Sequence, residues 1–188
     1  TSISVDGNGT NVTSLTTQSV TLSGATLANS LKYSAAATSA SVVLSGAAGT
    51  VTLTDNSSTA PATALTTIGV TGTVKASTPG LHTIAANGAL TIDETTNSAN
   101  DAATTLNVGI TGTGADLTIT GLSKLRTFDA STSTGNIKVT TGAGVATVKG
   151  GSGADTLTVG VTTDANSTTG LTSATVNAGA GNDTITVA

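Results

Sequence analysis

Asp155 and Asp183 are the residues of this sequence best placed to do chemistry, because each closes a short loop of glycines. Residues 150–158 read Gly-Gly-Ser-Gly-Ala-Asp-Thr-Leu-Thr and match the nonapeptide G-G-x-G-x-D-x-U-x at every specified position. Residues 178–186, Ala-Gly-Ala-Gly-Asn-Asp-Thr-Ile-Thr, match it with Ala178 in place of the first glycine. Glycine adopts backbone angles closed to other residues, so six residues can turn tightly enough to aim several carbonyls at a cation. The aspartate at the sixth position adds a charged oxygen. The next three residues form a short strand whose single aliphatic side chain, Leu157 or Ile185, points inward. Such a cage suits calcium, which takes about six to eight oxygen ligands at ~2.3–2.6 Å, better than the tighter octahedron of magnesium. The expected ligands are Asp155 and Asp183, with loop oxygens of Gly150, Ser152, Gly153, Ala178, Ala180 and Gly181.

Two further stretches echo the pattern. Residues 141–149 keep Gly142, Gly144 and Val148 but carry Ala146 where the aspartate belongs. Residues 111–116, Thr-Gly-Thr-Gly-Ala-Asp, repeat the loop half alone. For two loops to share an ion they must stack. Val145–Val148, Thr156–Val159, Ala174–Asn177 and Thr184–Val187 alternate between two sheets if residues 160–173 form an outward loop. Loops 150–155 and 178–183 then lie on one edge, one coil apart. A second register would make Asp164 a loop aspartate of its own, but Gly151 and Gly153 have no counterparts around it.

Other reactive residues read as ordinary surface. His82 is the only histidine and sits in an alternating stretch with no second ligand, as an exposed strand residue would. No nucleophile elbow accompanies the many serines. Asp93 and Glu94 are neighbours on a strand and face opposite ways, so they do not form one acid/base pair. Asp6-Gly7-Asn8-Gly9 resembles the start of an EF-hand loop, yet Thr17 stands where the bidentate Glu is needed, so it reads as a turn. Nothing here points to an enzyme. The Thr-x-Thr pairs at 52/54, 71/73, 118/120, 156/158 and 184/186 raise the idea of an ice-binding face, but their irregular spacing argues against one flat array.

The elements that position these loops are strands. Nearly a quarter of the residues are Thr, and β-branched Thr and Val suit a pleated surface. Only 9% of residues are charged and mean hydropathy is positive, which opposes disorder. Runs such as Ser19-Val20-Thr21-Leu22, Ser41-Val42-Val43-Leu44 and Thr50-Val51-Thr52-Leu53 alternate with a period of two. Leu27 to Ala40 alone could be a short helix or an irregular excursion. A weak repeat opens with Leu65-Thr66-Thr67-Ile68, Leu81-His82-Thr83-Ile84 and Leu125-Arg126-Thr127-Phe128. Each is followed by a turn and a second strand: Thr73-Val74-Lys75, Ala89 to Ile92 and Asn136 to Val139. Small side chains suit thin stacked coils. The expected fold is all-β, a parallel β-solenoid or β-roll. Residues 1–120 form a less regular solenoid-like or sandwich region, and residues 121–188 the calcium-binding β-roll.

Composition also bounds partners and compartment. The six basic residues are scattered, net charge is −4 and Tyr33 and Phe128 are the only aromatics, so nucleic acid has neither an electrostatic nor a stacking platform. No 18-residue apolar run exists, so no membrane span is expected. The absence of Cys excludes disulfides and thiolate metal sites. A Thr-rich, acidic, Cys-free chain reads as a secreted bacterial protein. Because it begins without Met and stops straight after a strand-like run, it reads as a piece of a longer one.

The glycine loops resemble the repeats-in-toxin (RTX) family, which is exported by type I secretion and folds outside the cell on meeting calcium. Leu122 to Val187, with Leu-Arg-Thr-Phe-Asp-Ala-Ser and Gly-Asn-Ile-Lys-Val-Thr, also resembles RTX-bearing bacterial surface-layer (S-layer) proteins, similarly rich in Thr, Ala, Gly and Val. The resemblance implies a secreted, extracellular structural protein at the bacterial cell surface. It would bind Ca2+ and self-assemble with copies of itself into a two-dimensional lattice. Attachment would be to lipopolysaccharide, through a part of the protein outside this sequence. A secreted RTX adhesin that binds an external ligand is the alternative.

Overall fold

The computed structural model describes residues 2–6, 11–16, 19–24, 29–34, 37–55, 65–75, 88–94, 103–120, 122, 124–161 and 173–188. Among them are sixteen strands and no helix. In chain order these are β1 (Ser2–Asp6), β2 (Asn11–Leu15), β3 (Ser19–Ser23), β4 (Asn29–Tyr33), β5 (Ser39–Ala47), β6 (Gly49–Asp55), β7 (Thr67–Val74) and β8 (Gly88–Glu94). They continue as β9 (Thr105–Ile110), β10 (Ala115–Thr120), β11 (Thr127–Asp129), β12 (Ile137–Thr141), β13 (Thr147–Lys149), β14 (Thr156–Val159), β15 (Thr175–Asn177) and β16 (Thr184–Val187). The odd-numbered strands form one eight-stranded sheet in sequence order and the even-numbered strands the other. All pairings are parallel.

Each strand therefore pairs with the one a full coil earlier, which is a two-sheet parallel β-roll. The parallel solenoid expected for the chain is what forms, and its pairing in residues 1–120 is unlike the antiparallel pairing of a sandwich. Both sheets cross residue 120 without a break, β9 pairing with β11 and β10 with β12.

Alternation drives this arrangement. In β3, β12 and β14 every second residue is buried, and the buried ones face the opposite sheet. Along one sheet Ala40, Ile68, Leu106, Phe128 and Val148 stack in register; along the other, Leu90, Leu117, Val139 and Leu157 do. All of these are buried, so the core is a thin continuous seam between the sheets, to which each coil adds a layer. The parallel backbone ladder leaves no choice of register once these columns align, because a slip of one residue would turn every apolar side chain outward.

The outer faces carry hydroxyls. Ser39, Thr67, Thr105, Thr127, Thr147 and Thr175 share one register position on the odd-numbered sheet. On the even-numbered sheet Thr50 lies opposite Thr91, Thr91 opposite Thr118, Thr140 opposite Thr158 and Thr158 opposite Thr186. Thr118 and Thr140 follow the paired Leu117 and Val139, so the column is continuous. Irregular sequence spacing thus does not prevent alignment, because the coil steps vary, from 17 residues between Ser2 and Ser19 to 41 between Gly49 and Leu90. The neighbouring position carries Thr156 and Thr184 but also Asp116 and Lys138, so a second threonine column is interrupted by charge.

Two sequence readings are corrected. Among the described residues of Leu27–Ala40 there is no helix: Asn29–Tyr33 is a strand with Asn29, Leu31 and Tyr33 inward, and Ser39 and Ala40 open β5. Thr73 and Val74 are not a second strand but the end of β7, which Thr67 and Ile68 open. Leu81 to Ile84, including His82, lies outside the described residues, as do Gly7 to Gly9, Thr17 and Asp164. Among the described residues no helix is long and apolar enough to cross a membrane.

Candidate metal site

Three loops stack on the edge where the chain passes from the odd- to the even-numbered sheet. They are residues 130–136 between β11 and β12, 150–155 between β13 and β14, and 178–183 between β15 and β16. Lys138 lies opposite Thr156, and Thr156 opposite Thr184. Asp155 and Asp183, each one residue earlier, therefore occupy equivalent places one coil apart. The step from Ile137 to Asp155 is 18 residues, two nonapeptides, and that from Asp155 to Asp183 is 28. The longer step contains the stretch expected to loop outward, of which residues 162–172 lie outside the described part.

The loops meet backbone to backbone. Ser152 N donates to Ser133 O at 2.9 Å, Gly150 N to Asn177 O at 2.8 Å and Ala180 N to Gly151 O at 2.9 Å. A Cβ on Gly151 would collide with the Ser133 carbonyl, and one on Gly179 with the Gly151 carbonyl. The glycines are thus required for coils to stack through the turn, a reason that holds with or without an ion.

The carboxylates are part of the same stack. Asp155 is 1% exposed. Its Oδ1 accepts from Ile137 N and its Oδ2 from Gly151 N, both at 2.7 Å. Asp183 Oδ1 accepts from Asp155 N at 2.9 Å. In both cases the sixth-position carboxylate receives the N–H at the equivalent place one coil earlier. These charge-assisted bonds offset the several kcal/mol that an uncompensated buried carboxylate costs.

Fit to a cation turns on the lone pairs that remain. A carboxylate offers about four acceptor sites. Asp155 uses two and Asp183 one, and Asp183 Oδ2 accepts from no described residue. The Ala178 carbonyl faces Gly150 and the Gly153 carbonyl faces Gly181, across the gap between coils. Ser152 and Ala180 are exposed and spend their N–H groups on the stack. The donors are all hard oxygens, which fits calcium and not a thiolate- or imidazole-loving metal. Among the described residues there is no group of three His, Cys, Asp or Glu side chains, so two carboxylates would be completed by carbonyls and water.

The two echoes of the motif part company: the loop of 111–116 joins β9 to β10 on the same edge, where the Gly112 carbonyl lies against Gly135 of loop 130–136. Loop 142–146 joins β12 to β13 and so lies on the opposite edge, where even an aspartate at Ala146 would not meet Asp155. Asp116 is inside β10, opposite Lys138, and pairs with its Nζ at 3.2 Å on the outer face. Leu157 is buried as expected. Ile185, opposite Leu157, is 49% exposed because no later described coil covers it. Asp93 and Glu94 end β8, and only their backbone is described.

Sequence reading missed the third loop of the stack. Asn136 Oδ1 accepts from Ala154 N at 2.8 Å. The buried Ser133 donates from Oγ to Val108 O and accepts from Ile110 N, both at 3.0 Å, tying this loop to β9. An 18-residue step back from Gly153 reaches Gly135, and that offset was the available signal. No family model, no curated protein and no solved structure matches this chain.

Proposed function

We propose that this chain is a non-catalytic, structural segment of a calcium-binding bacterial surface layer of the RTX type. The observation that carries this reading is the stacking of the two glycine loops, one coil apart, with Asp155 and Asp183 at equivalent positions. Calcium would be held by these carboxylates with carbonyls of loops 150–155 and 178–183. It would supply positive charge between two carboxylates that otherwise repel, and so tie consecutive coils together. Extracellular calcium modules bind at ~10⁻⁴–10⁻³ M, a range that leaves the site empty in the cytosol and filled outside the cell.

What the roll presents supports self-assembly. Its outer faces are columns of Thr and Ser, with the ion pairs Asp116–Lys138 and Asp129–Lys149 formed between neighbouring strands. Such faces carry little net charge, so copies approach without strong repulsion. Calorimetry of the full chain with calcium tests the site: Asp155→Ala and Asp183→Ala should each weaken binding strongly, and Asp93→Ala should not. Electron microscopy in millimolar calcium tests the layer. Ordered sheets support it; lone particles that bind a host or sugar ligand would favour the adhesin.

A further inference from the structure

The opposite edge of the roll is joined in a different way. There the chain passes from the even- to the odd-numbered sheet, ahead of β11 through a segment of which 122 and 124–126 are described, and ahead of β13 through 142–146. Thr127 lies opposite Thr147, and Ala146 N and Thr147 N both donate to Arg126 O, at 2.8 and 3.0 Å. Arg126 therefore stands beside Ala146, the residue that replaces the aspartate of the nonapeptide. Its guanidinium Nη1 donates to Gly144 O at 3.1 Å in the following coil and to Leu125 O at 3.2 Å in its own. One positive group thus bridges loop carbonyls of two consecutive coils.

We propose that Arg126 is the built-in cation of this edge, joining coils there in place of a metal ion. A guanidinium is always charged and has only donors, so it can satisfy carbonyls that an ion would otherwise take. It needs no aspartate beside it, which accounts for Ala146 at the sixth position. A carboxylate there would instead pair with Arg126. Calcium dependence is then confined to the edge carrying Asp155 and Asp183; this second clause rests on the calcium reading above, whereas the role of Arg126 does not.

The test is amide hydrogen exchange of Ala146 and Thr147 in the full chain, in chelator and in millimolar calcium. Arg126→Met keeps the aliphatic stem and removes the donors. It should speed exchange about tenfold in both conditions, the loss expected for charge-assisted bonds at an exposed site. Arg126→Lys, which keeps the charge, should restore part of the protection. Adding Ala146→Asp to Arg126→Met should recover slow exchange only when calcium is present. Unchanged exchange in Arg126→Met, or no calcium rescue of the double variant, would overturn the assignment. Rescue of Arg126→Met by calcium alone would overturn the confinement of calcium to the other edge. The chelator arm involves no metal, and calorimetry on the unsubstituted chain reads the calcium site separately, so the two readings fail independently.

Discussion

Replacing Asp155 by alanine separates what its carboxylate does for the roll from what it does for a metal. The side chain is 1% exposed and accepts two backbone N–H groups at 2.7 Å, from Ile137 and Gly151. Hydrogen bonds to charged groups contribute about 1.5–3 kcal/mol each, so losing both while two donors stay buried should cost about 3–6 kcal/mol. Asp183 accepts one such bond, at 2.9 Å and partly exposed, so Asp183→Ala should cost less than about 2 kcal/mol. Urea unfolding followed by circular dichroism, in chelator, compares the two without calcium. At a slope of about 2 kcal/mol per molar, the Asp155 variant should lose at least ~1.5 M in midpoint and the Asp183 variant under ~1 M. Equal shifts, an Asp155 variant with the unsubstituted midpoint, or no β signal from the unsubstituted chain in chelator would refute the claim that these hydrogen bonds hold the loops together when no ion is bound.

Tyr33 is buried, and its hydroxyl has no hydrogen-bond partner among the described residues. Burial pushes the phenol up to about 12, outweighing a smaller lowering by the backbone of Ser41. Tyr33→Phe should therefore stabilise the chain by about 1 kcal/mol in urea. It should also remove a loss of stability that the unsubstituted chain shows between pH 10 and about 12, where the unfolded phenol ionises and the folded one does not; a destabilised variant would mean that the hydroxyl has a partner. Burial pushes the Asp129 carboxyl up, but the Lys149 ammonium at 2.8 Å and two hydrogen bonds from Ser131 outweigh it and hold the carboxyl below its ordinary value. Its contribution to stability is therefore complete above the unfolded value of about 3.9 and lost as pH falls through the folded one. In Lys149→Met a carboxyl titration followed by NMR should show Asp129 moved upward, and an unmoved titration would show that Lys149 is not its partner.

The amino-acid sequence by itself determined what depends on near neighbours. A period of two with β-branched residues makes strands, as in Thr156-Leu157-Thr158-Val159, and glycines ahead of Asp155 and Asp183 make loops that turn tightly. Even the sharing of an edge by those two loops was legible, because glycine spacing ruled out the register through Asp164. What only the tertiary structure decided is which coil lies on which. Coil steps run from 17 residues, Ser2 to Ser19, to 41, Gly49 to Leu90, so equivalent positions cannot in general be found by counting. For that reason the threonine columns, the place of Ala146 on the opposite edge and the outward turn of Asp116 were not legible. The same holds for Arg126, adjacent to Gly144 only once the coils stack, whereas the 18-residue offset from Asn136 to Ala154 matches two nonapeptides and could have been counted. Alignment of the buried columns selects the register, and that register assigns every outward and edge residue its neighbour.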